Sequence, residues 1–273
     1  MPPACLFLDN DDTLYQNSYQ TEARITKAMG TYIQANLGLS PEKAFSLYRE
    51  YGTTLKGLLA EGLIDVAGAE AFLLEAHAID YREVVPDPSL ADVLSRLRTP
   101  TWIFTAGTRE HAERCMHKVG LEQHLRLEGI VDVRTCDFQS KHSEASFERA
   151  LAAARSLNPS LRAQDCCLCD DSVKNIARAK AMGWTTVLVG TNDRATGEPL
   201  ACEAADHIVP SLHSLPSVLP ELFDDAGNVT SHASPVSSPS GGKAKKRSLG
   251  ELADAGMSNA DDDGVPRRVS IEL

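Results

Sequence analysis

Three carboxylates crowd the segment LFLDNDDTLY: Asp9, Asp11 and Asp12 lie directly after the apolar run ACLFLD. That run has the length and composition of a strand buried on both faces. The carboxylates then sit at a strand's C-terminal end, where parallel sheets bind their ligands. In an extended chain, side chains at i and i+2 point the same way, so Asp9 and Asp11 converge and can share a hard cation such as Mg²⁺ through oxygen ligands. A solvated acidic turn or a helix N-terminus fits the same three residues. A second apolar strand, in CLCDDSVKN, ends in Asp170 and Asp171 just before a helix. Two strand ends offering carboxylates across one crevice complete a Mg²⁺ site, and helix capping by either Asp is compatible with that. In WIFTAGT, Thr105 offers a hydroxyl and Ala106 and Gly107 offer backbone N–H groups, a turn suited to holding a phosphate. Lys141, in SKHSEASFERA, stands immediately ahead of a helix, where an ammonium can neutralise a phosphoryl group or simply face solvent.

The elements that position these residues follow from the hydrophobic pattern. Between about residues 18 and 85, TEARITKAMGTYIQANLGL, SPEKAFSLYREYG and VAGAEAFLLEAHAI carry apolar residues at three- and four-residue spacing, which predicts an all-helical insert. Ser40 followed by Pro41 predicts a helix start. After VVPDPSL, strands and helices alternate: TWIFTAG, REHAERCMHKVGL, GIVDV, SEASFERALAAARSL, DCCLCDD, SVKNIARAKAMG, WTTVLVG and HIVP. Such alternation predicts an α/β fold with a parallel sheet. From Asp224 to Leu273 the chain is rich in Ser, Gly, Pro, Asp and Ala without apolar periodicity, and is expected to be a disordered tail.

The 273 residues suffice for one large domain or a domain with an insert. With 27 Lys plus Arg against 38 Asp plus Glu, the net charge of −11 argues against a general binder of nucleic-acid backbones. No apolar stretch is long enough to span a membrane, and the N-terminus lacks the features of a secretion signal. The odd count of seven Cys suits reduced thiols in the cytosol or nucleus. Cys166, Cys167 and Cys169 alternate along an apolar strand, which favours a buried strand over a zinc site. His77, His111, His117 and His124 show no ligand spacing and read as ordinary side chains.

Taken together, in this order and spacing, the four pieces resemble the haloacid-dehalogenase superfamily of phosphohydrolases over roughly residues 4–223. The resemblance implies a doubly wound parallel sheet, with a catalytic core at 1–17 and 86–223, a helical cap at 18–85 inserted after the first strand, and the tail at 224–273. It implies that Asp9 attacks phosphorus to form an aspartyl-phosphate and that Asp11 serves as general acid and then base. Thr13 is then the structural Thr of the DxDxT motif, Thr105 the phosphate-binding hydroxyl and Lys141 the motif lysine. Asp9, Asp11, Asp170 and Asp171 form the implied Mg²⁺ site. The pieces TLYQNS, REYGTTLKGL, VVPDPSL, DDSVKNIARAK and DHIVPSLHSLPSVLPELF further resemble the pyrimidine 5′-nucleotidase branch, which includes the proteins called suppressor of disruption of TFIIS. In that branch the insert selects the substrate, which makes Tyr51, Thr53, Thr54 and Lys56 candidates for facing the leaving group. The YGTTLKGL stretch also fits a plain helix junction.

Three positions depart from the family pattern. Ala106 stands where many relatives have Asn, removing one side-chain phosphate contact; His142 stands where Pro is usual, loosening the turn that carries Lys141; and Asp12 adds charge near the metal. The leading expectation is a Mg²⁺-dependent phosphatase of a small phosphorylated metabolite, a nucleoside 5′-monophosphate first. The alternatives are a sugar phosphate or phosphoglycolate, or a regulatory scaffold acting through its tail. KKRS and RRVS in the tail offer phosphorylation sites, and Lys243, Lys245, Lys246 and Arg247 a nuclear-targeting run, against the reading of an inert terminus.

Overall fold

The computed structural model describes residues 2–193 and 196–224. The apolar run CLFL forms β1 (Cys5–Leu8), buried along its whole length. Four helices follow: α1 (Gln20–Leu37), α2 (Pro41–Tyr51), α3 (Thr54–Ala60) and α4 (Val66–Ala76). The chain then alternates through α5 (Pro88–Leu94), β2 (Thr101–Phe104), α6 (Arg109–Val119), β3 (Leu127–Val131), α7 (Glu144–Arg155) and β4 (Cys166–Asp170). It closes with α8 (Val173–Ala181), β5 (Thr185–Val189), β6 (His207–Val209) and α9 (Leu215–Val218). The tail anticipated from the composition lies, beyond Asp224, outside the described residues.

The strands form one parallel sheet in the order β3-β2-β1-β4-β5-β6. Both faces are covered, which is why the strand sequences are continuously apolar rather than alternating. Leu6, Leu8, Ile103, Cys167, Cys169 and Val187 face a core completed by α5 and α6. Phe7, Trp102, Phe104, Cys166, Leu168 and Leu188 face the opposite core, with α7 and α8. The cysteines of β4 divide as strand alternation requires, and every Cys is a free thiol. The fold is therefore the doubly wound α/β architecture, and its strand order reverses at β1, the place where such sheets open a crevice at their carboxyl edge.

Two local details differ from the hydrophobic pattern. α3 lies where the sequence suggested a junction: Thr53 caps it by accepting the Lys56 N–H at 3.1 Å, and Gly57 permits its close approach to α2, since a Cβ there would lie 2.7 Å from Leu47 Cβ. β3 ends at Val131, before the Asp-Val of GIVDV, because the buried Asp132 carboxylate accepts from the N–H and hydroxyl of Thr135 at 2.9 and 2.8 Å and turns the chain. The four helices after β1 have their own core of Ile25, Met29, Leu47, Leu58, Phe72 and Leu73, which Val133 joins from the sheet side.

Two glycines with opposite environments test the packing. Gly129 on β3 sits under the Trp102 ring, where an added Cβ would lie 2.5 Å from a ring carbon, whereas Gly30 inside α1 faces open space. Gly129→Ala is expected to lower stability by about 1–3 kcal/mol through overpacking. Gly30→Ala is expected to raise it by about 0.5–1 kcal/mol through helix propensity and unfolded-state entropy. Urea-unfolding midpoints of the two variants check both signs.

Candidate active site

Every strand end at the point of reversal delivers a functional side chain. Asp9 follows β1 and is locked to the neighbouring strand by its N–H donating to Cys169 O at 2.9 Å. Asp170 is the last residue of β4 and is completely buried. One Asp170 oxygen accepts from Ser172 N–H at 2.9 Å and Asn175 Nδ2 at 3.0 Å, so the first turn of α8 orients it. Asp171 follows, half-buried. Oxygens of Asp9, Asp170 and Asp171 lie within 4.8 Å of one another.

Lys141 enters this acidic cluster from the segment before α7. Its Nζ donates to Asp9 Oδ1 at 2.5 Å and Asp170 Oδ2 at 2.6 Å, and it lies 5.0 Å from the centre of the Phe104 ring. The residue is only 5% exposed, so the reading of a solvent-facing lysine is excluded. The turn that carries Lys141 and His142 is held by hydrogen bonds. Ser146 Oγ donates to Ser140 O at 2.9 Å, Ser143 N–H donates to the same carbonyl at 2.9 Å, and Arg178 Nε donates to His142 O at 3.1 Å. These bonds fix the turn without a proline.

Burial sets the electrostatics of the cluster. It pushes the Asp9 carboxyl up to about 7; the Asp170 and Asp11 charges push the same way, while Lys141 opposes them. Asp171 is raised well above the usual carboxylate range, by burial first and by the charges of Asp9, Asp170 and Asp12 after it. Lys141 stays firmly protonated: burial disfavours its charge, but Asp170 and Asp9 more than offset that. Three carboxylates against one ammonium leave an excess of negative charge, which a divalent cation bound by hard oxygen donors suits.

Asp11 does not join the cluster. The chain leaves the extended conformation after Asp9, with Leu14 N–H donating to Asn10 O at 3.0 Å and Asp12 at φ 49°, so the i, i+2 parity does not apply. The Asp11 carboxylate turns instead to His111, whose Nε2 lies 2.9 and 3.0 Å from its two oxygens, and to the Tyr15 hydroxyl. Burial raises the Asp11 carboxyl, but the His111 charge and these hydrogen bonds outweigh it and hold it below the usual range. Asp12 organises the adjoining loop, accepting backbone N–H groups of Asn17 and Tyr19 at 3.2 and 3.1 Å.

His111 is therefore not the ordinary side chain the sequence suggested. It is 1% exposed, and burial, which disfavours its charge, is overcome by Asp11, so it sits well above its usual range. Neither this residue nor Asn175 stood out by spacing; the available signal was that each lies in the first turn of a helix launched from a strand end. His77 packs against His111 with ring centres 4.8 Å apart. Gly107 is required between them and the turn after β2, since a Cβ there would lie 2.9 Å from His111 Cδ2 and 3.4 Å from His77 Nε2. Thr105 Oγ1 accepts the Gly107 N–H at 2.9 Å, which fixes that turn.

These side chains border one cavity of about 120 Å³, shared by Asp9, Asp11, Thr105, Ala106, Gly107 and Lys141 on the sheet side. Ile25, Thr26 and Thr53 close it from the helices. Thr53 thus borders the cavity, while Tyr51, Thr54 and Lys56 are not among its lining residues; the backbone at Gly52, with a φ of 87°, turns the chain between α2 and α3.

Carboxylates, an ammonium and a hydroxyl turn gather at the switch point of a doubly wound sheet. Residues 3–183 match the haloacid dehalogenase-like hydrolases, and the chain belongs to that family. Phosphate metabolism protein 8 of Saccharomyces cerevisiae is 29% identical over 128 residues, which are 42% of this chain and 39% of that protein, so the chain spans well under half of that relative's length. CbbY of Rhodobacter sphaeroides, solved in complex with phosphate, shares the fold with a TM-score of 0.56 at 16% identity, covering 80% of this chain and 99% of its own. A hydrolase from Pseudomonas syringae does so with a TM-score of 0.53 at 18% identity, covering 81% and 99%. Among the described residues no helix is long and apolar enough to cross a membrane.

His77 yields a prediction with a defined sign. Burial, with the charge of His111 adding to it, lowers its pKa from 6.5 to about 4. The unfolded chain therefore takes up this proton near pH 6.5 while the folded protein refuses it until about 4, so stability falls as pH drops through that window. Between pH 7 and 5 the wild type is expected to lose about 2 kcal/mol more than His77→Gln, read from urea unfolding at the two pH values.

Proposed function

We propose that the chain is a phosphomonoester hydrolase using Asp9 as nucleophile and Asp11 as acid and base. The observation that carries this reading is the buried cluster in which Lys141 bridges Asp9 and Asp170 beside a separate Asp11 pair. Its all-carboxylate donor set fits Mg²⁺, with Asp9, Asp170 and Asp171 as the side chains that would hold it. Bound there, the cation supplies charge neutralisation for the phosphoryl oxygens.

The protein's own groups then account for the chemical steps. Lys141 compensates the charge on Asp9 and on an incoming phosphoryl group, which lets one anion approach another. The Thr105 hydroxyl accepts from Gly107 and so keeps its own proton for a phosphoryl oxygen. The backbone N–H groups at Ala106 and Gly107 flank the same turn, and Ala106 brings no side-chain contact. An Asp9 oxygen forms a bond to phosphorus as the ester bond breaks, and the proton held between Asp11 and His111 passes through Asp11 to the departing oxygen. Asp11, now a carboxylate, takes a proton from the water that releases inorganic phosphate and regenerates Asp9.

In this reading the helices from α1 to α4 are a cap that excludes water and selects the leaving group, within the division into core 1–17 and 86–223, cap 18–85 and tail 224–273. The resemblance to pyrimidine 5′-nucleotidases makes a nucleoside 5′-monophosphate the first substrate class. The cavity favours a second reading: at about 120 Å³ it is small beside the ~300 Å³ at which pockets for drug-sized ligands begin, so a sugar phosphate or another compact ester fits it with less rearrangement. A cytosolic or nuclear location belongs to the same reading, and the free state of the seven cysteines supports it.

Asp9→Asn is expected to abolish turnover by several powers of ten with an unchanged circular dichroism spectrum, by analogy with other covalent catalysts. Activity within about tenfold of wild type would remove Asp9 from the nucleophile's role. EDTA is expected to abolish activity, and Mg²⁺ to restore it better than Ca²⁺, whose longer bonds and higher coordination disturb in-line geometry. A panel of nucleoside monophosphates and sugar phosphates separates the two substrate classes. Thr53→Val is expected to change their ranking by about tenfold while hydrolysis of p-nitrophenyl phosphate stays within about twofold, consistent with one lost hydrogen bond in a cap contact.

A further inference from the structure

We propose that His111 is the positioning residue of Asp11, holding its carboxyl group at the cavity wall in the orientation needed to pass the proton shared by the pair to the leaving oxygen. The inference rests on the reading of Asp11 as the acid and base of the reaction and extends it to a residue outside the motifs.

His111 is bound at both ends. Nε2 meets the Asp11 oxygens at 2.9 and 3.0 Å, while Nδ1 lies 2.9 Å from the Tyr81 hydroxyl. Tyr81 donates its single proton to His77 O at 3.1 Å, so its oxygen accepts from His111 Nδ1–H. The ring is therefore oriented from behind by a residue anchored to the end of α4, and its Nε2–H is aimed at Asp11. Thr108 caps α6 by accepting His111 N–H at 3.2 Å, which fixes the backbone as well. Asp11 keeps a 27% exposed side chain and borders the cavity, whereas the His111 side chain is completely buried. One partner meets substrate and the other is built into the wall.

Cys115 brings a third donor close, since ligand atoms of Asp11, His111 and Cys115 lie within 4.8 Å of one another. A chelated metal does not fit them. Cys115 Sγ is 3.9 Å from both ring nitrogens, along the lone-pair direction of neither, and both directions are already taken by Asp11 and Tyr81. The arrangement is a hydrogen-bonded support in the sense in which second-layer partners orient the groups that react.

An acid matters most when the departing oxygen is a poor leaving group, and this separates positioning from mere packing. First-turnover release of the leaving group is measured by rapid quench for an alkyl ester, glycerol 2-phosphate, and for p-nitrophenyl phosphate, whose leaving group departs without protonation. His111→Leu is expected to slow the alkyl ester about 100-fold and p-nitrophenyl phosphate less than about threefold, the span general acid catalysis typically contributes. His111→Gln, which keeps a donor toward Asp11, is expected to recover much of the loss, and Tyr81→Phe to show a weaker form of the same selectivity. Asp11→Asn is expected to match His111→Leu, and the double variant to fall no further, because one residue acts through the other. Equal losses on both esters, or additive losses in the double variant, would overturn the proposal while leaving Asp9 as nucleophile intact. Retained turnover in Asp9→Asn would overturn the functional reading and this inference with it. If His111→Leu does not fold, His111→Gln and Tyr81→Phe carry the same comparison.

Discussion

Burying an ammonium ion costs several kcal/mol unless carboxylates compensate it at close range, and removing one partner leaves an uncompensated charge. Lys141 meets that condition through Asp9 and Asp170, and three separate segments must be brought to one point to do so. The β1–β4 register pairs Leu8 with Cys169, so Asp9 and Asp170 emerge side by side from adjacent strands. The segment before α7 must then cross their carboxyl ends, and the hydrogen bonds around Ser140, His142 and Ser146 hold it there. A continuously apolar sheet buried on both faces supplies the rigidity that makes such alignment possible.

The same point of reversal separates two electrostatic environments a few residues apart in sequence. Around Asp9 the carboxylates outnumber the cations, and burial raises their affinity for protons. Around Asp11 an imidazole supplies the compensating charge, and the carboxyl is held low. Two carboxylates with different partners in one cavity thus differ in proton affinity, because environment rather than residue type sets it.

Much of this was legible from residue types alone. Continuous apolar runs ending in Asp9, Thr105 and Asp170 marked the strands and their functional ends, since a strand covered on both faces has no polar side to hide. The pairing of Asp9 with Asp11 was misread because side-chain parity holds only while the chain stays extended, and the turn at Asn10 ends that. His111 and Tyr81 were invisible because their contacts join residues 30 and 100 positions apart. α3 escaped for a related reason: a seven-residue helix shows too few turns for a period, and its glycine is explained only by α2 against it.

The contacts between the helices and the sheet are of two kinds. Arg134 joins Glu70 of α4 at 2.8 Å and Glu110 of α6 at 2.8 Å, and Lys174 Nζ reaches Tyr48 Oη at 3.2 Å. Val133 is the sheet-side residue that shares the helical core. The Arg134 pairs are partly exposed on at least one partner, and such pairs contribute only about 0–1 kcal/mol each. The joint also holds buried contacts, since His77 at the end of α4 packs on His111 with ring centres 4.8 Å apart and Tyr81 bonds to both. The acidic cluster behaves differently, since parting Lys141 from its carboxylates would expose buried charges to one another.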